Sequence, residues 1–293
     1  MVTLMIVRQL YLVIEQPGNT AAVTEGCLRI ERCVVDVHRW MMANKLKLNE
    51  DKTEIQVFGT PQRVGQVNIQ ALSIAGVSVV VSNTAVVNLG VAFDSELDMS
   101  SQISKTVRSA QYHLRNIGRI RNRLTTDATR TLVQSLVISR LDYCNSLFYG
   151  LPETTQLIRL RRIHHQAARL ITRSDRFADS SLVLQSLHWL PIEYRIQFKI
   201  LCNVYKAVYG LGPLYLSEML IYYVPSRALR TVANRDKVLV VPKTNLKIGK
   251  RAFSVCGPQL WNSLPSSLRR TECITSFKSG LKTYFFNKVY FNV

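Results

Sequence analysis

Acidic side chains are scarce in this chain, and scarcest after its first third. There are 19 Asp and Glu against 38 Lys and Arg in 293 residues, a formal charge of +19. Residues 1–100 hold 8 basic and 10 acidic residues, net −2; subtraction leaves 30 basic and 9 acidic for residues 101–293, net +21. A field so one-sided favours a polyanionic partner over an ordinary solvated surface. Long apolar runs are missing too. None reaches the ~18 residues of a membrane helix, so no membrane partner is expected. The opening MVTLMIVRQLYLVIEQPG is apolar like a secretion signal, but it lacks a basic start and Arg8 interrupts it, so it is not read as one. The six cysteines form no C-x-x-C pair and have no histidine at zinc spacing. They read as buried free thiols in a reducing compartment. His164 and His165 are adjacent, so on a helix they point about 100° apart and do not chelate together. Internal repeats and low-complexity tracts are also lacking. With 47% hydrophobic residues, the chain is rich enough to build a core and is not wholly disordered.

The first hundred residues mix helical and strand patterns. Val23, Cys27, Ile30, Val34, Val37 and Met41 recur at three- and four-residue steps and predict a helix over 22–43. The segment NKLKLNEDKTEIQVFG alternates apolar and polar positions on either side of a polar turn, which predicts strand, turn, strand. Residues 65–67 open a further β stretch, and Leu72 to Val81 predict a hairpin turning at Gly76. Val86 to Phe93 read as one more strand containing Leu89-Gly90.

From Asp98 the period becomes helical. Ile103, Val107, Ala110, Leu114, Ile117 and Leu124 form one apolar stripe, and Thr126 is the expected N-cap of the next helix. A helix is expected to start at Pro152 and run through Ile171, and Pro191 and Pro213 punctuate two more. Residues 221–250 are basic and poorly periodic, either an exposed linker or a short β-ribbon. Residues 259–290 return to an aromatic-rich helical pattern.

Two helices carry rows of arginine. On the helix at 155–173, Arg159, Arg162, Arg169 and Arg173 fall within about 80° of one another. Arg115, Arg119 and Arg123 recur at four-residue steps one helix earlier. Guanidinium groups make bidentate, charge-assisted bonds to phosphate oxygens. With few carboxylates nearby to neutralise them, these rows are candidate phosphate contacts. Trp189 and Trp261 have Leu-Pro neighbours and are expected to pack in the core before stacking on bases.

Several motifs go beyond composition. Trp40-Met41 followed by Leu46-Lys47-Leu48-Asn49-Glu50-Asp51-Lys52-Thr53-Glu54 resembles the palm segment after the catalytic strand in reverse transcriptases of non-LTR retrotransposons, of the LINE type and jockey-like. Asn88-Leu89-Gly90-Val91-Ala92-Phe93-Asp94 resembles their primer-grip strand. Ser139-Arg140-Leu141-Asp142-Tyr143-Cys144-Asn145-Ser146-Leu147, with Tyr149-Gly150-Leu151-Pro152, resembles the helical region beyond it. Leu187-His188-Trp189-Leu190-Pro191, Arg251-Ala252-Phe253-Ser254 and Leu260-Trp261-Asn262-Ser263-Leu264-Pro265 continue the series, so the likeness spans residues 9–290.

The resemblance implies an α+β chain: a truncated antiparallel palm edge over 1–95, a mainly α-helical, thumb-like basic region over 96–220, and a C-terminal region over 221–293. Enzymes of this family copy RNA into DNA with two Mg²⁺ ions held by aspartates. Their key aspartate pair lies in an aromatic-Ala-Asp-Asp strand followed by Gln-Leu-Tyr. Here Gln9-Leu10-Tyr11 is present, but Met5, Ile6, Val7 and Arg8 precede it, and the aspartate pair is missing. No cofactor is therefore expected in this chain, although the intact family enzyme uses Mg²⁺. Lys52 occupies the place where such palms use a lysine on pyrophosphate; without metals it reads as a surface turn residue. Lys47 and Gly90 would lie along the nucleic-acid path, Gly90 because glycine permits close backbone approach.

The expected function is that of a reverse-transcriptase fragment, inactive alone, with affinity for RNA or RNA–DNA duplex and with a missing polymerase portion as a further partner. The alternatives are a truncated gene model of an active enzyme, or a relic without a specific partner. The N-terminus suggests how the aspartates were lost. Codons TAC GCT GAT GAT AGT C for Tyr-Ala-Asp-Asp-Ser, read one nucleotide late, give ACG CTG ATG ATA GTC, which is Thr3 to Val7. Sequencing the gene is expected to show these codons and a frame-restoring insertion, deletion or splice junction near Arg8; other codons there contradict the frameshift.

Overall fold

A computed structural model describes residues 9–49, 52–74, 76–152, 156–224 and 237–291. Residues 3–7, where the frameshift is read, lie outside the described residues. The chain is α+β, helical for the most part, with two antiparallel sheets of two strands each. It divides into two compact units, residues 1–102 and residues 103–293.

Unit 1 opens with α1 (Thr20–Ala43). Asn19 caps it, its Oδ1 accepting from the N–H groups of Ala21 and Ala22 at 3.0 and 3.3 Å. The expected apolar stripe faces inward: Val23, Val34 and Met41 are buried, and Cys27, Ile30 and Val37 are half-buried. A short helix α2 (Pro61–Val64) precedes the hairpin of β1 (Ala71–Ile74) and β2 (Val77–Val80), which turns at Gly76 as expected. Val34, Leu72 and Ile74 form a small core, joined by Leu48, Ile55 and Ile69. Glu31 ties the helix to the hairpin by accepting the Ser73 N–H at 2.7 Å.

Three β expectations in this unit are overturned. No strand forms across Leu46–Leu48 or 55–59. Lys45 takes a left-handed conformation, and the N–H groups of Lys45 and Leu46 turn back to the Met42 and Met41 carbonyls at 3.0 and 2.8 Å. Those donors close the end of α1 instead of entering a sheet. Ile55 keeps one parallel bridge to Val81. The stretch at 65–67 is the end of a helical turn, because Thr60 caps it and Pro61 sits at its first position. The single strand expected over Val86–Phe93 is a hairpin of β3 (Val86–Asn88) and β4 (Val91–Phe93). Leu89 and Gly90 form its two-residue loop with φ of 47° and 80°. Positive φ at both loop positions matches the right-handed twist of the strands, and glycine carries it without steric cost.

The boundary between the units falls in the first turn of α3 (Ser100–Ile120). Unit 2 continues with α4 (Thr126–Val133), which passes through a π-helical turn at Gln134–Ile138 into α5 (Ser139–Asp142). The N-cap of α4 is Thr125, one residue earlier than expected: its hydroxyl accepts the Ala128 N–H at 3.1 Å. Then come α6 (Ile158–Thr172), α7 (Ser180–Ser186), α8 (Ile192–Val208), α9 (Leu214–Glu218), α10 (Phe253–Asn262), α11 (Ser266–Arg269) and α12 (Ile274–Tyr290). Pro191 and Pro213 precede α8 and α9 as expected. Residues 221–224 and 237–250 hold one antiparallel bridge, Tyr222 to Leu239. Of the six free cysteines, only Cys202 and Cys256 are buried, so the expectation that all are core thiols fails for the others.

The core of unit 2 joins α5, α6, α8, α10 and α12. Leu141, Leu160, Ile171, Ile192, Ile196, Trp261 and Phe277 are fully enclosed. Tyr205 stacks on Phe277 and on Tyr209 with centroids 4.4 Å apart, and its hydroxyl donates to the Thr271 carbonyl at 2.9 Å. Two partly exposed ion pairs, Arg195 with Asp142 and Arg161 with Glu193, link α8 to α5 and to α6.

His164 of α6 is 0% exposed and lies flat against Trp189, centroids 5.2 Å apart. Neither ring nitrogen has a hydrogen-bond partner among the described residues. Burial first, then the Arg195 charge and His165, hold its pKa well below the usual histidine value. The unfolded chain therefore takes up this proton first as pH falls below about 6.5, and stability is lost in that direction. Thermal denaturation is expected to show Tm falling from pH 7 to 5.5, with at most about 1.4 kcal/mol lost per pH unit from this side chain. His164→Phe, which keeps the stacking, is expected to flatten the curve; an unchanged slope contradicts the assignment.

Candidate nucleic-acid interface

α3 presents two opposite faces. Ile103, Thr106, Ala110, Leu114 and Ile117 are buried. Lys105, Arg108, Tyr112, Arg115 and Arg119 are exposed and follow one another at alternating three- and four-residue steps. At 3.6 residues per turn they lie within about 80° of arc, opposite the buried set. Arg108, Arg115 and Arg119, with Arg123 just beyond the helix, have no hydrogen-bond or ion-pair partner among the described residues. Tyr112, 62% exposed, stands between Arg108 and Arg115. Neither α3 nor α6 contains an acidic residue.

The four candidate arginines on α6 and at its C-cap do different things. Arg162 is exposed and has no partner among the described residues. The half-buried Arg159 donates to the Ser104 hydroxyl of α3 at 3.0 Å. Arg169 donates to the Ala178 carbonyl at 3.2 Å and the Ser180 hydroxyl at 2.6 Å, which ties the loop after α6 to the helix. Arg173, left-handed at the end of α6, reaches the Arg121 carbonyl at 3.5 Å. Within that loop Phe177 is 88% exposed, with the Arg176 guanidinium 5.8 Å from its ring centre.

Arg121 was not a candidate from the sequence, yet it fixes the geometry. It is only 6% exposed. Its Nε donates to the Leu170 carbonyl at 2.8 Å, Nη2 to the Ile171 carbonyl at 2.9 Å and Nη1 to the Leu124 carbonyl at 3.0 Å. The first two acceptors belong to the last turn of α6, where carbonyls lack helical partners and the helix dipole favours a cation. Burial, and after it the Arg173 charge, lowers the Arg121 pKa. With Arg159 on Ser104 at one end and Arg121 on Leu170 and Ile171 at the other, α3 and α6 lie alongside each other and run the same way. Between them is a shallow depression of about 340 Å³, lined by Gln111, Leu114, Arg115, Gln166 and Leu170. Arg115 of the α3 row lines this depression, and Arg162 lies one turn before Gln166 on α6.

The candidates Lys47, Lys52 and Gly90 belong to unit 1. Lys47 and Lys52 are exposed on irregular backbone, and Gly90 occupies the exposed hairpin loop. Trp261 is enclosed, donating to the Lys237 carbonyl at 2.8 Å, and Trp189 is half-buried beside His164.

The described residues do not offer a site for the Mg²⁺ that the resemblance implies. Among the described residues, no group of three or more His, Cys, Asp or Glu side chains could hold a metal ion. Asp94 and Asp98, a carboxylate pair among the described residues, are committed to the start of α3. Asp94 accepts the Asp98 and Met99 N–H groups, and Asp98 accepts the Ser100 N–H at 2.8 Å. Burial, then the hydrogen bond with Asp98, raises the Asp94 pKa. No described helix is long and apolar enough to cross a membrane. Comparison with protein-family models, with curated proteins and with solved structures finds no match.

Sequence reasoning found both basic rows but missed Arg121 and the full extent of the α3 stripe. The alternating step from Lys105 to Arg119 was a readable signal; the partner of Arg121 lies on another helix and was not. Arg121→Met is expected to lower the Tm of the chain clearly more than Arg123→Met at the neighbouring exposed position, read by circular dichroism. Equal effects contradict the clamp.

Proposed function

We propose that this chain is the C-terminal part of a non-LTR retrotransposon reverse transcriptase, in which unit 2 acts as a thumb-like grip on RNA or RNA–DNA duplex and unit 1 is a palm edge. In this reading the chain does not polymerise by itself, and the missing polymerase portion is its natural companion. The observation that carries the binding function is the groove between α3 and α6. Arg115 lines it, Arg108, Arg119 and Arg162 are exposed on the same two helices, and neither helix offers a carboxylate to neutralise them. The ordered motif series from Trp40 to Pro265 supports the descent.

The chemistry is electrostatic. A guanidinium fork matches two phosphate oxygens, and its charge displaces condensed counterions from the nucleic acid. A four-residue step advances about 6 Å along a helix, so Arg115 and Arg119 are placed to meet neighbouring phosphates of one strand. Such contacts fix position without reading sequence. Arg159, Arg169 and Arg173, already engaged within the unit, hold the helices and the following loop in place. Arg123 extends the row beyond α3.

Fluorescence anisotropy with a labelled RNA–DNA duplex tests this. Arg115→Glu, Arg119→Glu and Arg162→Glu together are expected to weaken binding at least tenfold, about 1.4 kcal/mol, while Tm stays near that of the parent because the three side chains are exposed. Primer extension with Mg²⁺ is expected to give no product. Duplex affinity untouched by the triple charge reversal contradicts the grip, and template-directed synthesis by this chain alone contradicts the inactive reading.

A further inference from the structure

The depression between α3 and α6 differs in chemistry from its rims. Its apolar part is made by Leu114 and Leu170, and its polar groups are the Gln111 and Gln166 amides, one from each helix, with Arg115 at the edge. Neither amide, nor Arg115, has a hydrogen-bond partner among the described residues. It is shallow and open to solvent, about 340 Å³. That is room for one planar group and far too little for a duplex.

Gly118 adds an independent observation. It lies in the last turns of α3, four residues after Leu114 and so on the same side of the helix. A Cβ placed there would meet nothing within 4 Å. A glycine inside a helix costs about 0.5–1 kcal/mol relative to alanine, and no neighbouring side chain requires this one. Its effect is to leave the groove side of α3 bare beyond Leu114, so that a flat ligand can lie against the backbone.

We infer that this depression is a subsite for one unpaired nucleobase, extruded from or flanking the duplex held by the arginine rims. The inference rests on the phosphate-grip reading and adds to it the recognition of a base. The base face lies on Leu114 and Leu170. Its hydrogen-bonding edge meets the Gln111 and Gln166 amides, which can each donate and accept. Arg115 holds the phosphate of the same nucleotide. Adenine is the best-matched occupant, because an amide pairs in two-point fashion with its N6 and N7. Recognition of an unpaired base by stacking and edge contacts is how single-stranded regions gain specificity that phosphate contacts do not supply.

The test compares one labelled RNA–DNA duplex with the same duplex carrying a single unpaired adenosine, by anisotropy with the full chain. The parent is expected to bind the bulged duplex about tenfold more tightly. Gln111→Ala with Gln166→Ala, both substitutions of unpartnered side chains on helices, is expected to abolish that gain and leave affinity for the perfect duplex unchanged. Perfect-duplex binding with no gain from the bulge overturns the subsite and leaves the grip standing. A gain that persists in the double variant overturns its placement in this groove. Absence of binding to either duplex overturns the grip and the subsite together.

Discussion

One buried arginine organises the basic half of this protein. Arg121 leaves the end of α3, is covered from solvent, and caps the last carbonyls of α6. A cation enclosed without partners is costly, so the contact is effectively obligatory: where Arg121 goes, the end of α6 must follow. At the other end Arg159 makes the lesser tie to Ser104. These two contacts turn separate amphipathic helices into two sides of a groove. They also sort the arginines into those consumed by the fold and those left for a ligand.

That sorting shows where the charge asymmetry is left uncompensated. Unit 2 has few carboxylates, and several are already engaged. Asp142 and Glu193 pair with Arg195 and Arg161, Asp127 pairs with Arg130, and Asp179 caps α7. What remains on α3 and on the exposed side of α6 is uncompensated positive charge. Repulsion within such rows is unfavourable in the free protein, and a polyanion relieves it. The free guanidiniums do not crowd the centre of the groove, where leucines and glutamines lie instead. On this surface exposed guanidiniums and a depression lined by leucines and glutamines lie side by side.

Much of the fold was legible in the sequence because it is local. The stripe of α1, the turn at Gly76 and the prolines before α8 and α9 are set by periodicity and backbone preference, and each stands where expected. The strand expected at Leu46–Leu48 failed because helix capping claimed the Lys45 and Leu46 donors, a competition that alternation of residue type does not register. The strand over 86–93 failed because Leu89 adopts a left-handed conformation beside Gly90, whereas the apolar run reads as continuous. At the site, the basic rows were visible from spacing alone. Which arginines are free was not, because Arg159, Arg169 and Arg173 find partners on other elements or in a following loop, and long cationic side chains give no local sign of where they end. The depression between the glutamines has no signal in the sequence, because its lining comes from two helices.

Whether free guanidiniums meet phosphates is measured most directly by the salt dependence of duplex binding. Each phosphate contact contributes about 0.9 to the magnitude of the slope of log K against log salt concentration. Engagement of Arg108, Arg115, Arg119, Arg123 and Arg162 predicts a slope of about −4 to −5 for the parent chain. A slope near zero, with binding retained at high salt, would mean that these side chains do not hold the nucleic acid and would contradict the central claim.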